Sequence, residues 1–167
     1  DRLRNIFPWL LLLAVLLCGL LCRLMASRDS VRLDEASNAP IGADEGLHSI
    51  SDIVLHKERG AASGGSLKMI ELGGVLKALK AAELSNQMEM SVNLSGAICE
   101  TSVSSAAVVH LAAAIPQIDW GLSITNQYAA TDIVKEPIKI LNGSVAPPPG
   151  TGLGVEIDEN KVKQHVK

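Results

Sequence analysis

Between about residues 28 and 134, short apolar runs alternate with stretches whose apolar residues recur at helical spacing. "DSVRLDEAS" reads as the end of a helix and "APIGAD" as a strand entering a turn. "SISDIVLHKERG" then has a Ser/Asp start and helical spacing up to Gly60. "SLKMI" is strand-like, and Gly73-Gly74 open the helical "VLKALKAAELSNQ". "MEMSVNLSG" is a third strand, "TSVSSAAVVHLAAAI" a helix stopped at Pro116, and "WGLSIT" a fourth strand. Four rounds of strand and helix predict an α/β architecture with a parallel sheet. The tail, residues 135–167, changes character: Asn142-Gly143 signals a hairpin, and the Pro/Gly-rich run after it suits a segment that packs over a domain.

Residues 1–27 form a separate region. Arg2 and Arg4 precede 17 uncharged residues, Ile6–Cys22, and Arg23 with small residues follows. This is the layout of a secretory signal, and the run is barely long enough to span a bilayer. If genuine it implies a membrane or exported location; the plainer reading is a stretch joined wrongly to the domain behind it. A chain of 167 residues holds one domain, or part of one.

Charge and composition narrow the partners. Fifteen basic against 18 acidic residues, no basic stripe and only two Trp, one Tyr and one Phe argue against nucleic acid. Cys18 and Cys22 lie in the apolar run, so the three cysteines make neither a disulfide framework nor a zinc spacing. Cys99 is expected to be a small buried residue.

In parallel α/β barrels, catalytic groups gather where strands end and βα loops begin. Asp44 and Glu45 end the first strand, Lys68 the second, Glu100 follows the third, and Ser123, Thr125 and Asn126 follow the fourth. Each has a plainer reading. Acids before a glycine serve turns and N-caps, a strand-end lysine snorkels, and Glu100 caps the helix behind it. His110 is expected to pack against a neighbour, and His48 and His56 to sit on a loop and a helix surface. "TGLG" follows no strand, and no nucleophile elbow is present. Together the strand ends favour sharper chemistry. A carboxylate ligand, a lysine base and a further acid around one mouth are the parts needed to remove a proton beside a substrate carboxylate, a hard divalent cation holding the enediolate.

"PIGADEGLHS", "SLKMIELGG", "AICETSVSSAAVVHLAAAIP", "DWGLSIT" and "GLGVEID" occur in the order and spacing of the C-terminal half of enolase-superfamily enzymes. From about residue 28 to 158 the chain resembles the mandelate racemase and muconate lactonizing enzyme group, with features of the branch that includes cis-3-hydroxyproline dehydratases. The resemblance implies a (β/α) TIM-type barrel of which this chain holds about the last four units. It implies that Asp44 resembles the last of three carboxylate ligands to Mg2+, with Glu45 its hydrogen-bonding support. Lys68 resembles the general base or acid, and Glu100 an acid that faces the substrate or supports the lysine. Ser123, Thr125 and Asn126 would shape the pocket for a small carboxylate substrate. The parent enzyme would be a cytoplasmic homo-oligomer.

The departures count too. The family's other lysine, two further metal carboxylates and its capping domain are expected upstream, where "LLLLAVLLCGLLCRLM" offers no carboxylate. One carboxylate makes no tight magnesium site. Gly64-Gly65 are also expected to weaken the strand leading to Lys68. The favoured expectation is a fragment of a Mg2+-dependent lyase or isomerase, a dehydratase, racemase or cycloisomerase, inactive as this chain alone. The alternative is a membrane-anchored, non-catalytic half-barrel that binds a partner or itself.

Overall fold

The structure, a computed structural model, describes residues 39–165. The apolar segment Ile6–Cys22 and the first expected helix end lie outside them. Among the described residues no helix is long and apolar enough to cross a membrane.

The four expected strands form one parallel sheet in sequence order: β1 (Gly42–Ala43), β2 (Gly64–Lys68), β3 (Ser91–Ser95) and β4 (Leu122–Ser123). Helix α1 (Ile50–Glu58) joins β1 to β2. After β2 come a one-turn helix, α2 (Met69–Leu72), and α3 (Val75–Gln87); α4 (Ser102–Ala114) joins β3 to β4. The tail ends in α5 (Glu159–His165).

Local chemistry explains the boundaries. Helix α1 starts at Ser49, whose Oγ accepts from the Asp52 amide at 3.3 Å, while the Asp52 carboxylate accepts from Ser49 Oγ at 2.8 Å and from the His48 amide at 3.1 Å. Helix α2 ends on Gly73 in the left-handed region, φ 81°, which a Cβ would disfavour. The expected strand "SLKMI" is therefore shorter than its apolar residues suggested, since the chain turns helical at Met69.

One sheet face makes the core. Leu67, Val92 and Leu94 are fully buried against Ala78, Ala81 and Ala82 of α3 and Val108, Val109 and Leu111 of α4. Each large side chain so buried contributes roughly 1.5–3 kcal/mol, and the alanines let α3 approach the strands closely. The opposite face is polar. Ser66 and Asn93 are register partners, and Ser66 Oγ donates to Asn93 Oδ1 at 2.8 Å; Asn93 Nδ2 donates to the Gly121 carbonyl at 3.0 Å and to Ser123 Oγ at 3.3 Å.

One expectation is extended and one is corrected. Gly64 and Gly65, besides carrying no side chain to pack, admit close neighbours. A Cβ on Gly64 would lie 2.3 Å from the Ser91 carbonyl oxygen and 2.8 Å from the Trp120 ring, and one on Gly65 2.4 Å from Leu47 Cδ1. Cys99 is exposed rather than buried, because it occupies a positive-φ turn, φ 58°, after β3.

The Asn142-Gly143 hairpin forms as expected. Both residues have positive φ, 51° and 74°, and Leu141 and Ser144 exchange backbone hydrogen bonds of 2.8 and 3.0 Å. Elsewhere in the tail, Val134 bridges Ile157 antiparallel, and Ile138 and Val145 pack against the core.

Candidate functional site

Because β1 and β2 are parallel and paired, Ala43 with Gly65, their ends emerge on the same side of the sheet. Asp44 and Glu45 continue directly from β1, and Lys68 is the last residue of β2 and the N-cap position of α2. Lys68 is 8 % exposed overall and lies on the same face of β2 as Ser66, opposite to Leu67. Its ammonium meets three carboxylates: Asp44 Oδ1 at 2.9 Å, Glu45 Oε1 in direct hydrogen bond, and Glu71 Oε1 at 3.7 Å.

These carboxylates differ in setting. Asp44 and Glu45 are open to solvent, with side chains 58 % and 75 % exposed, whereas Glu71 is 18 % exposed. The second oxygen of Glu71 is buried without a hydrogen-bond partner and lies 3.9 Å from Nδ1 of His48. Electrostatics follow. The hydrogen bond to Glu45 raises the Lys68 pKa above the ordinary lysine value against the cost of burial, and Asp44 and Glu71 add to it. The hydrogen bond from Lys68 holds the Glu45 carboxyl below its usual range, Glu71 assisting. At neutral pH Lys68 is an ammonium, a proton donor as it stands.

Glu71 escaped the sequence reading. An extended "SLKMI" carries residue 71 away from the lysine, but the turn into α2 at Met69 brings it back over Lys68 at i+3. The Lys-x-x-Glu spacing at a strand-to-helix junction was the available signal.

Glu100 lies in the loop after β3, apart from this ionic cluster. Its Oε2 is buried without a hydrogen-bond partner beside Gly96, where a Cβ would come within 2.2 Å of it. It lines a cavity of about 360 Å³ with Met69, Ile70, Gly74, Ser104 and Val108. Thr125 steadies this loop: its Oγ1 donates to the Ala97 carbonyl at 2.5 Å and accepts from the Glu100 amide at 3.2 Å. Ser123 is exposed at the end of β4, beside Ser95 of β3.

Asn126 turns elsewhere. It is buried, and its Nδ2 donates to the Ile138 carbonyl at 2.8 Å and to Ser102 Oγ at 3.2 Å. That cluster centres on Asp132, the second residue the sequence reading missed. Its carboxylate accepts from the Ser102 amide at 3.0 Å and from Ser102 Oγ at 2.5 Å. Asp132 therefore caps α4 from 30 residues away. The reading of Glu100 as that cap is corrected, since Thr101 holds the cap position, without a side-chain bond. The histidines lie as expected: His110 Nε2 meets the Leu153 carbonyl at 3.2 Å, and His56 Nδ1 meets the Asp52 carbonyl at 2.7 Å on α1.

Among the described residues, no three His, Cys, Asp or Glu side chains are placed to hold a metal ion. Asp44 and Glu45 are hard oxygen donors at a strand end, a chemistry that suits Mg2+. They fit such an ion as part of its ligand set and not as a whole site.

Comparisons with known proteins identify the family and the fold. The enolase C-terminal domain-like family profile matches residues 24–161. Muconate cycloisomerase 1 of Pseudomonas putida is 30 % identical over 138 residues, covering 82 % of this chain and 36 % of that protein. The o-succinylbenzoate synthase of Bacillus subtilis is 31 % identical over 140 residues, covering 83 % and 37 %. A chloromuconate cycloisomerase of Cupriavidus necator is 29 % identical over 137 residues, covering 81 % and 37 %. The solved muconate lactonizing enzyme of Pseudomonas putida superposes with a TM-score of 0.75 at 28 % identity, over 81 % of this chain and 38 % of that one. The chain thus spans a little over a third of the relatives it matches. With a four-stranded parallel sheet that corresponds to part of their barrel, and with the family profile matched over most of its length, the chain belongs to the enolase C-terminal domain-like family, in the mandelate racemase and muconate lactonizing enzyme group of the enolase superfamily.

Proposed function

We propose that this chain carries the acid–base half of a lyase or isomerase site that moves the proton alpha to a substrate carboxylate. The observation that carries the reading is the Lys68 ammonium, set at the end of β2 among Asp44, Glu45 and Glu71. A lysine so buried and so surrounded serves proton transfer at a defined point, where a snorkelling lysine would lie in solvent. Lys68 donates the proton in the arrangement described. It accepts one once the carboxylate charge around it is neutralised, because that charge is what holds it as an ammonium.

The other roles follow from position. Glu45 supports Lys68, Glu100 presents a carboxyl to the cavity at the end of β3, and Ser123 and Thr125 shape the adjoining wall. Asn126 supports that wall from behind. Enolase-superfamily members generally use Mg2+, and Asp44 is the donor this chain would contribute. When bound, the ion supplies positive charge against a substrate carboxylate. Its remaining ligands are not among the described residues, so catalysis by this region requires carboxylates from elsewhere. The relatives support a small carboxylate as substrate. We assign the chain to a larger enzyme, and on its own we expect it to be inactive.

The test is deuterium uptake from D2O into a panel of carboxylates, muconolactone among them, followed by mass spectrometry with Mg2+ present. It is run on the chain alone and on the chain joined to the N-terminal remainder of the Pseudomonas putida cycloisomerase. Exchange is expected only in the joined protein, and Lys68→Ala is expected to lower it about 10²–10⁴-fold. A folded joined protein whose exchange is indifferent to Lys68→Ala would sink the proposal.

A further inference from the structure

We infer that the cavity beside Glu100 binds a primary ammonium carried on a short apolar chain, which makes the substrate of the proposed site a carboxylate that also bears an amine. The second half of that statement rests on the reading of Lys68 and Glu100 above and deepens it; the first stands on the cavity alone. About 360 Å³ of space opens between the segments that follow β2 and β3, within the size range of small-ligand pockets. Its walls are mostly apolar. Met69 and Ile70 follow Lys68 directly, Val75 opens α3, and Val108 comes from α4. Ile70 and Val75 are exposed while Val108 is buried, so the pocket runs from solvent toward the core along apolar side chains.

Glu100 is the single ionisable residue of that lining, and among the described residues no donor reaches its buried Oε2. Buried carboxyl oxygens are ordinarily hydrogen-bonded, so an orphan beside an open cavity marks the place of a donor that arrives from outside the chain. The carboxyl is also held in place. Thr125 Oγ1 accepts from the Glu100 amide at 3.2 Å, and Gly96 leaves the room that a Cβ, 2.2 Å from Oε2, would take. Charge selects the donor. An ammonium brings three N–H donors and the charge opposite to a carboxylate, whereas a hydroxyl brings one donor and no charge. An inorganic cation would meet one carboxyl and largely hydrocarbon, which replaces little of its hydration. An alkylammonium matches both surfaces at once: its head pairs with Glu100, and its chain covers Met69, Ile70 and Val75, apolar groups otherwise left against water.

Binding is read on the full chain, without turnover. n-Butylamine at neutral pH, where it is an ammonium, is titrated against the chain while its methyl resonances are followed by nuclear magnetic resonance, with n-butanol and ammonium chloride titrated in parallel. The amine is expected to shift the methyl signals of Met69, Ile70 and Val75 saturably and to bind at least about tenfold more tightly than the alcohol, the usual weight of a hydrogen bond between charged groups. Glu100→Gln is expected to weaken the amine by about the same factor and to leave the alcohol unchanged. Equal affinity for amine and alcohol overturns the inference, as does an affinity for the amine that Glu100→Gln leaves unchanged. So do equal shifts with ammonium chloride, and so does the absence of saturable shifts at these methyls. Glu100→Gln keeps the shape of the side chain, circular dichroism confirms its fold, and the comparison of amine with alcohol needs no variant. Deuterium exchange indifferent to Lys68→Ala sinks the proton-transfer reading and leaves amine binding standing, and a failure to bind the amine leaves Lys68 to its own test.

Discussion

Two polar clusters sit at strand ends in this molecule, and they are built on opposite principles. At β1 and β2, Asp44, Glu45, Lys68 and Glu71 bring full charges together at a solvent-facing mouth. Beyond β4, Ser102, Asn126 and Asp132 form a buried knot whose donors are spent on one another and on backbone. The first leaves groups available to an incoming molecule. The second uses them up to hold α4 and the tail together. Polar residues at the ends of parallel strands therefore divide by what their partners are: Lys68 and Asp132 are equally buried, at 8 % exposure, but Lys68 is met by carboxylates largely open to solvent, whereas Asp132 is met by the amide and hydroxyl of a helix start.

The comparison can be broken most forcefully at Asp132. Asp132→Ala leaves the Ser102 amide and hydroxyl without their acceptor at the buried start of α4, and is expected to cost about 3 kcal/mol in urea unfolding. A loss under about 1 kcal/mol would mean that water replaces the carboxylate and that the knot is not the anchor described. Asp44→Asn, at the open cluster, is expected to change stability by no more than about 1 kcal/mol, because Asp44 is mostly in solvent and Lys68 keeps two other partners.

The smallest effect is a pH signature. Glu45 is held below its ordinary 4.5, so its share of stability is present above that value and lost as pH falls through its lowered folded pKa. Lys68 is raised above its ordinary 10.5, so its share is present below that value and lost as pH rises through its raised folded pKa. The difference in melting temperature between wild type and Lys68→Met should therefore stay flat between 4.5 and 10.5 and shrink outside that window. A difference that varies across neutral pH would contradict this assignment of the cluster's titration to Glu45 and Lys68.

Much of this architecture was legible before any coordinates. The four strands and the helices between them follow from apolar periodicity, and α3 follows "VLKALKAAELSNQ" residue for residue. The hairpin follows from Asn142-Gly143, since few other pairs accept positive φ at both positions. Asp44, Glu45 and Lys68 were also foreseeable as neighbours, because parallel strands must emit their ends on one side. What the sequence hides is local: apolar Met69-Ile70 looks like more strand, Cys99 looks like a buried residue because cysteine usually is one, and the close approach at Gly64-Gly65 involves neighbours 27 or more residues ahead or well behind in the chain.

By itself the sequence determined the βα order, the parallel sheet and the family, since these rest on periodicity and on motifs short enough to read along the chain. Only the tertiary structure decided that Glu71 joins Lys68, that Asn126 faces inward, and that Asp132 caps α4 across 30 residues. Those contacts depend on where a chain turns and how closely its strands pack, and a difference of one residue in a strand's end changes which carboxylate meets the lysine.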